Sequence, residues 1–320
     1  MTSPLSQSSA ARGAYPSARA RLHANIPLRE QRLQCAGVST AVLEGGDGPP
    51  MVLLHGAGEF AAVWMRVIPA LNKTYRLVVP ELPGHGESGI GEGPMDVARI
   101  SEWLADLIRQ TCASAPVLVG HLLGGVIALR YALDNRSKVS CLVLVDSYGL
   151  APFRPSVSFA LALIAFMVRP NMRSQNRVFR GCFADFDALR ENVGAQWEAI
   201  AEYALDCARK AENKIVMRTL MPKLAIPAIP TEQLARNTVP TTLIWGRHDL
   251  QVQLHVAQKA SARHRWPLHV IENAGDDPAY EQPEAFLRAL RSALAAPEPH
   301  GRVRHEPAAA ASSAGLGTPA

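Results

Sequence analysis

No Cys-x-x-Cys pair and no metal-ligand spacing joins the five cysteines, Cys35, Cys112, Cys141, Cys182 and Cys207. An odd, scattered set reads as reduced thiols of a cytoplasmic protein and offers neither a disulfide framework nor a metal site. Nothing in the chain marks a bound cofactor. Long apolar runs are also missing. The stretch Val157–Val168 holds twelve largely apolar residues, too few to span a bilayer, and the opening Met1–Leu28 has no apolar core of a secretory signal and no acid before Glu30. Lys and Arg nowhere cluster with interleaved aromatics, which argues against a nucleic-acid partner. The formal charge of +5 comes mainly from arginines between residues 147 and 237 and in the two ends.

What is present is a chain of enzyme size. With 320 residues, 48% hydrophobic and 19% charged, it can bury a full core as one domain with an insertion. Apolar strand runs are predicted at Met51–Leu54, Leu77–Pro80, Val117–Gly120, Cys141–Val145, Thr242–Trp245 and Leu268–Ile271. Helical patterns follow at Ala61–Leu71, Val97–Thr111, Leu123–Leu133, Val252–Ala262 and Ala279–Leu294. Continuous apolar strands separated by helices predict an α/β fold, a mostly parallel doubly wound sheet with functional loops at the carboxyl ends of its strands. Residues 1–33 and 296–320 read as disordered extensions, 34–146 and 238–295 as the core, and 147–237 as a helical cap insertion with a further helical stretch near Trp197–Arg218. A helix as uniformly apolar as Val157–Val168 is expected to be buried, rather than lying in a membrane interface.

Five motifs stand at strand ends. Gly120-His121-Leu122-Leu123-Gly124-Gly125 has the glycine frame of a strand-to-helix nucleophile elbow, Gly-x-nucleophile-x-Gly, with leucine at the central position. His55-Gly56-Ala57-Gly58 follows the run at 51–54, Pro80–Ser88 carries Pro-Glu-Leu-Pro-Gly-His-Gly, Trp245-Gly246-Arg247-His248-Asp249 follows the run at 242–245, and Asn273-Ala274-Gly275-Asp276-Asp277-Pro278 lies near the end. In this order, from about Gln34 to about Ala295, they resemble the α/β-hydrolase superfamily of the capped type. The resemblance implies an oxyanion or binding loop at His55, Gly56, Ala57 and Gly58 completed by the Leu123 N–H. It also implies a triad acid at Asp249, a nucleophile position held by Leu122 and a histidine position held by Asp276.

Leucine has no lone pair and no proton to give, so residue 122 cannot form an acyl-enzyme. An aspartate with an ordinary pKa of about 3.9 is ionised at neutrality and shuttles protons poorly, although a second nearby carboxylate, Asp249, would raise it. His121 reads as structural. His248 is expected to point away from its neighbour Asp249, Asp146 reads as a loop or capping aspartate, and Asp277 competes with Asp276 for the inward position. The sequence therefore leaves catalysis open among three readings. One is a pseudoenzyme binding a small apolar carbonyl-type molecule; the second is unconventional acid–base chemistry through Asp249 and Asp276. The third is a variant of an active ester or carbon–carbon bond hydrolase.

Overall fold

The structure, a computed structural model, describes residues 16–295. Eight strands form one sheet: β1 (Arg29–Cys35), β2 (Val38–Gly45), β3 (Pro50–Leu54), β4 (Arg76–Pro80), β5 (Val117–His121), β6 (Cys141–Val145), β7 (Thr241–Gly246) and β8 (Leu268–Ile271), in the order β1-β2-β4-β3-β5-β6-β7-β8. The pairs β3/β4, β3/β5, β5/β6, β6/β7 and β7/β8 are parallel, and only β1/β2 and β2/β4 are antiparallel. The mostly parallel sheet expected from the continuous apolar runs is what the chain forms.

Helices alternate with the strands. After α1 (Ala18–His23), a 3-10 turn at Ala61–Arg66 leads into α2 (Ile68–Leu71); α3 (Val97–Thr111) and α4 (Leu122–Asp134) follow. Between β6 and β7 come α5 (Val157–Val168), α6 (Met172–Cys182), α7 (Phe186–Val193), α8 (Ala195–Arg209), α9 (Ala211–Thr219) and α10 (Thr231–Leu234). The chain closes with α11 (Leu254–His264), α12 (Pro278–Glu281) and α13 (Pro283–Ala295). The Asp96 side chain caps α3 at the Arg99 N–H, Ser156 caps α5 at Phe159, and Asn171 with Ser174 forms a reciprocal capping box on α6. Each cap satisfies N–H groups that a helix start leaves unpaired.

The two-residue period of the strands divides the core. Val52 and Leu54 of β3 face one side with Leu118, Leu142 and Trp245, under α3 and α4. Met51 and Leu53 face the other with Val119, Val143, Trp64 and Phe286 of α13. Both faces are covered, as parallel strands require.

Two expectations need correction. Residues expected to belong to a disordered extension over 1–33 include α1 and most of β1. The polar composition of β1 concealed an edge strand whose outer residues are wet while Cys35 is buried, and α1 buries Ala18 and Leu22 against the sheet's second core and α8. The rest of that expectation, at residues 1–15 and 296–320, lies outside the described residues. The helix Val157–Val168 forms as predicted but is not enclosed. Only Phe159 and Ala162 are buried, because none of the other described residues forms a layer over the outer face of α5.

Candidate functional site

The turn from β5 into α4 is built by its glycines. A Cβ at Gly120 would meet the Gly124 carbonyl at 2.5 Å, one at Gly124 would collide with the Leu54 carbonyl, and one at Gly125 with the Ser147 hydroxyl. Only glycine admits such close approach. Between them Leu122 adopts φ +44°, a left-handed conformation that costs a β-carbon-bearing residue of order 1–3 kcal/mol. The Gly124 N–H donates to the His55 carbonyl at 3.1 Å, tying the start of α4 to the loop after β3. The Leu123 N–H, second in its helix, has no partner within that helix.

Leu122 is buried and its side chain lines a cavity of about 570 Å³ between the strand ends and α5, α6, α8 and α9. That volume suits a small organic ligand. The walls are chiefly apolar, among them Phe153, Phe159, Phe179, Trp197 and Met217. Among the described residues, no serine, threonine or histidine lines it. Polar groups that line it include Glu59, Gln251, Asp276 and Asp277 from the loops after β3, β7 and β8, with Tyr148 and Cys182.

These groups are linked. The Tyr148 hydroxyl donates to Gln251 Oε1 at 2.9 Å, and Gln251 Nε2 donates to Asp276 Oδ2 and lies 3.5 Å from Cys182 Sγ. Burial, reinforced by Asp249, pushes the Asp276 carboxyl well above the usual carboxylate range. That shift favours the protonated carboxyl, the form that can donate a hydrogen bond. Burial raises Asp277 to about 7 and Asp249 to about 6. Burial also pushes the Cys182 thiol well up, which keeps it from the thiolate form a nucleophile needs.

Beneath the cavity floor His121 supplies positive charge. Its Nδ1 lies 3.1 Å from Glu59 Oε2 and its Nε2 donates to the Asp276 backbone carbonyl. Burial disfavours the imidazolium, but Glu59, then Asp277 and Asp276, outweigh it and lift the His121 pKa to about 10. Both ring nitrogens thus donate. Burial opposes ionisation of Glu59 as well, yet His121 holds its pKa below the usual range. Glu59 also accepts from the Gly56 N–H at 2.6 Å.

The structure brings some of the expected site residues together and separates others. Leu122, Asp276, Ala57 and Gly58 line the cavity. Asp249 does not: its Oδ1 is occupied by the N–H groups of Gln251 at 2.7 Å and Val252 at 2.9 Å. His55 and Gly56, expected as part of the oxyanion or binding loop, are not among the residues that line the cavity. The His55 ring accepts from the Leu82 N–H at 2.9 Å through Nε2 and bonds the Gly56 carbonyl through Nδ1, while the Gly56 N–H is consumed by Glu59. Burial lowers His55 to about 3, so it is a neutral structural ring. Asp146, completely buried, accepts from the Gly246 N–H at 2.9 Å and is held well above its ordinary value by burial and by Asp249. His248 is exposed while Asp249 is buried. Sequence reasoning missed Glu59, Gln251, Tyr148 and Cys182. Glu59 and Gln251 sit within three residues of quoted motif positions, a signal that could have found them; nothing local marks Cys182.

The loop bearing Asp276 is pinned from outside the cavity. Glu281, buried and raised by that burial to about 8, accepts from the Gly275 N–H at 2.6 Å and the Ala184 N–H at 2.8 Å, and the Asp276 N–H donates to the Cys182 carbonyl at 2.9 Å.

Comparison with known proteins agrees with this architecture. The model of the alpha/beta hydrolase family matches residues 51–289. A pimeloyl-(acyl-carrier protein) methyl ester esterase of Aeromonas hydrophila subsp. hydrophila is 36% identical over 271 residues, covering 79% of this chain and 98% of its own. A magnesium-chelatase 30 kDa subunit of Rhodobacter capsulatus is 36% identical over 259 residues, 75% of this chain and 86% of its own. Among solved structures, a 2-hydroxy-6-oxo-6-phenylhexa-2,4-dienoate hydrolase of Rhodococcus superposes with a TM-score of 0.73 at 24% identity, covering 84% of this chain and 99% of that one. On the family match across most of its length, the chain belongs to the alpha/beta hydrolase family.

Proposed function

We propose that this protein is a non-hydrolysing member of its family that binds a small apolar molecule carrying a carbonyl oxygen. The observation that carries the reading is the cavity wall at the elbow: Leu122 stands at the strained turn position and lines the cavity, and no serine, threonine or histidine among the described residues does. In this reading leucine occupies the nucleophile's place and Asp276 the histidine's. Apolar walls supply affinity by burial. The protonated Asp276 carboxyl, with the N–H groups of Ala57 and Leu123, supplies donors for a carbonyl oxygen. The helices α5 to α9 act as the cap over this space, and residues 147–237 as the inserted unit. The five free thiols among the described residues support a cytoplasmic setting.

A second reading keeps Asp276 as a general acid in unconventional chemistry, favoured by its raised pKa inside the cavity. The proposed partner Asp249 does not line that cavity, so the acid would act on a ligand without it.

The test joins a serine-reactive probe to a ligand screen. Fluorophosphonate should leave the protein unlabelled and activated esters should give no acyl-enzyme burst, while aryl ketones or unreactive acyl esters raise the melting temperature by mass action. Stoichiometric labelling of a serine would overturn the reading. Steady ester turnover lost in Asp276→Asn would favour the general-acid alternative.

A further inference from the structure

The outer face of α5 is an uncovered apolar stripe. Val157, Leu161, Ile164 and Val168, at helical spacings of four, three and four, are 78%, 62%, 57% and 80% exposed, and Met172 at the start of α6 continues the patch. Isolated exposed apolar residues are ordinary, but a contiguous row on one helix marks an interaction surface. Ile164 and Val168 also line the cavity. The stripe therefore runs along the mouth of the ligand space.

Charge along the chain on either side of the stripe has one sign. Between Asp146 and Asp185 the sequence holds no acidic residue, and Arg154, Arg169, Arg173 and Arg177 are all exposed. Arg154 precedes α5, Arg169 directly follows it, and Arg173 adjoins Met172. None of these four guanidinium groups makes an ion pair or side-chain hydrogen bond among the described residues. A short apolar helix face flanked by arginines has the composition of a segment that lies in the headgroup region of a bilayer.

We propose that α5 docks this protein peripherally on a membrane containing anionic lipid, with the cavity mouth against the acyl region. No helix among the described residues is long and apolar enough to cross a membrane, so the contact is interfacial. A second copy seated on the same face would set arginine against arginine; anionic headgroups complement them. An apolar ligand would then pass from the lipid past Ile164 and Val168 without crossing water.

Co-sedimentation of the full chain with vesicles tests this. Phosphatidylcholine vesicles containing phosphatidylglycerol should bind the protein, vesicles of phosphatidylcholine alone should bind it more weakly, and high salt should release it. Val157→Glu with Leu161→Glu, at exposed positions that do not line the cavity, should lower partitioning by about tenfold or more with an unchanged melting temperature. Arg169→Ala and Arg173→Ala should each lower it about fivefold. Absence of wild-type binding to the anionic vesicles would overturn the proposal, as would binding that the double glutamate variant retains. So would concentration-dependent dimerisation abolished by that variant without any vesicle binding, which would make the face a protein interface.

Discussion

The Glu59 carboxylate and the His121 ring form an ion pair at 3.1 Å that joins the loop after β3 to the end of β5. Through its other nitrogen, His121 reaches the backbone of Asp276, so one imidazolium holds together three of the loops that make the cavity floor. His121→Ala should leave Glu59 without its cation. Because Glu59 keeps 21% of its side-chain surface toward the cavity, the loss should fall near the low end for a broken buried pair, about 3 kcal/mol. Urea unfolding of the variant measures it, and a loss below about 1 kcal/mol would show that the pair does not organise the site.

Stability should fall as pH rises above about 6.5. His121, raised to about 10, keeps its proton in the folded protein after the unfolded chain has released it near 6.5, so its contribution is complete below 6.5 and is lost toward 10. Buried carboxyls act the same way. Asp277 and Glu81, both near 7, and Glu281, near 8, retain protons that unfolded carboxyls lose near 4. His55 and His85, lowered by burial to about 3 and 4, oppose this trend only below 6.5. Thermal melts between pH 6.5 and 9 should show a steadily falling midpoint, less steep in His121→Ala; a flat or rising midpoint would contradict the assignment.

Leu122→Gly should be mild for a core change. The variant loses buried side-chain area but is freed of the left-handed strain at φ +44°. Its cost should stay below the usual 2–5 kcal/mol of a core leucine truncation. Chemical denaturation supplies the comparison, with Leu123→Ala as the reference from the same turn.

Rebuilding a triad should require two changes. Leu122→Ser alone lacks a base, because no histidine among the described residues lines the cavity, and Asp276→His alone lacks a nucleophile. The pair should recover ester hydrolysis well beyond the sum of the singles, since triad members act as a unit. Rapid probe-sensitive turnover by Leu122→Ser alone would instead make Asp276 a working partner.

The strands β3 to β8 were legible because buried parallel strands are continuous apolar runs, and each begins or ends within a residue of its expected bounds. The strand β1 was not, since Arg29–Cys35 has one wet face and few apolar residues. The exposure of α5 was equally hidden: composition shows that Val157–Val168 is apolar but not whether another layer covers it. At the site, glycine spacing announced the turn at Leu122. The roles of His55 and Gly56 depended on Leu82 and Glu59, partners whose approach no local pattern encodes.

The clamp made by Glu281 sets a rule for inheritance. Its two oxygens read only main-chain N–H groups, those of Gly275 and of Ala184, the latter 97 residues earlier in the chain. Most side chains could replace alanine at 184 as far as this bond is concerned, but proline, which has no N–H, could not. The insertion is thus free to change its lining, and with it the molecules admitted, so long as it delivers one unblocked amide to that carboxyl. Diversification of the pocket and preservation of its attachment are written in different parts of the same residues, side chain and backbone.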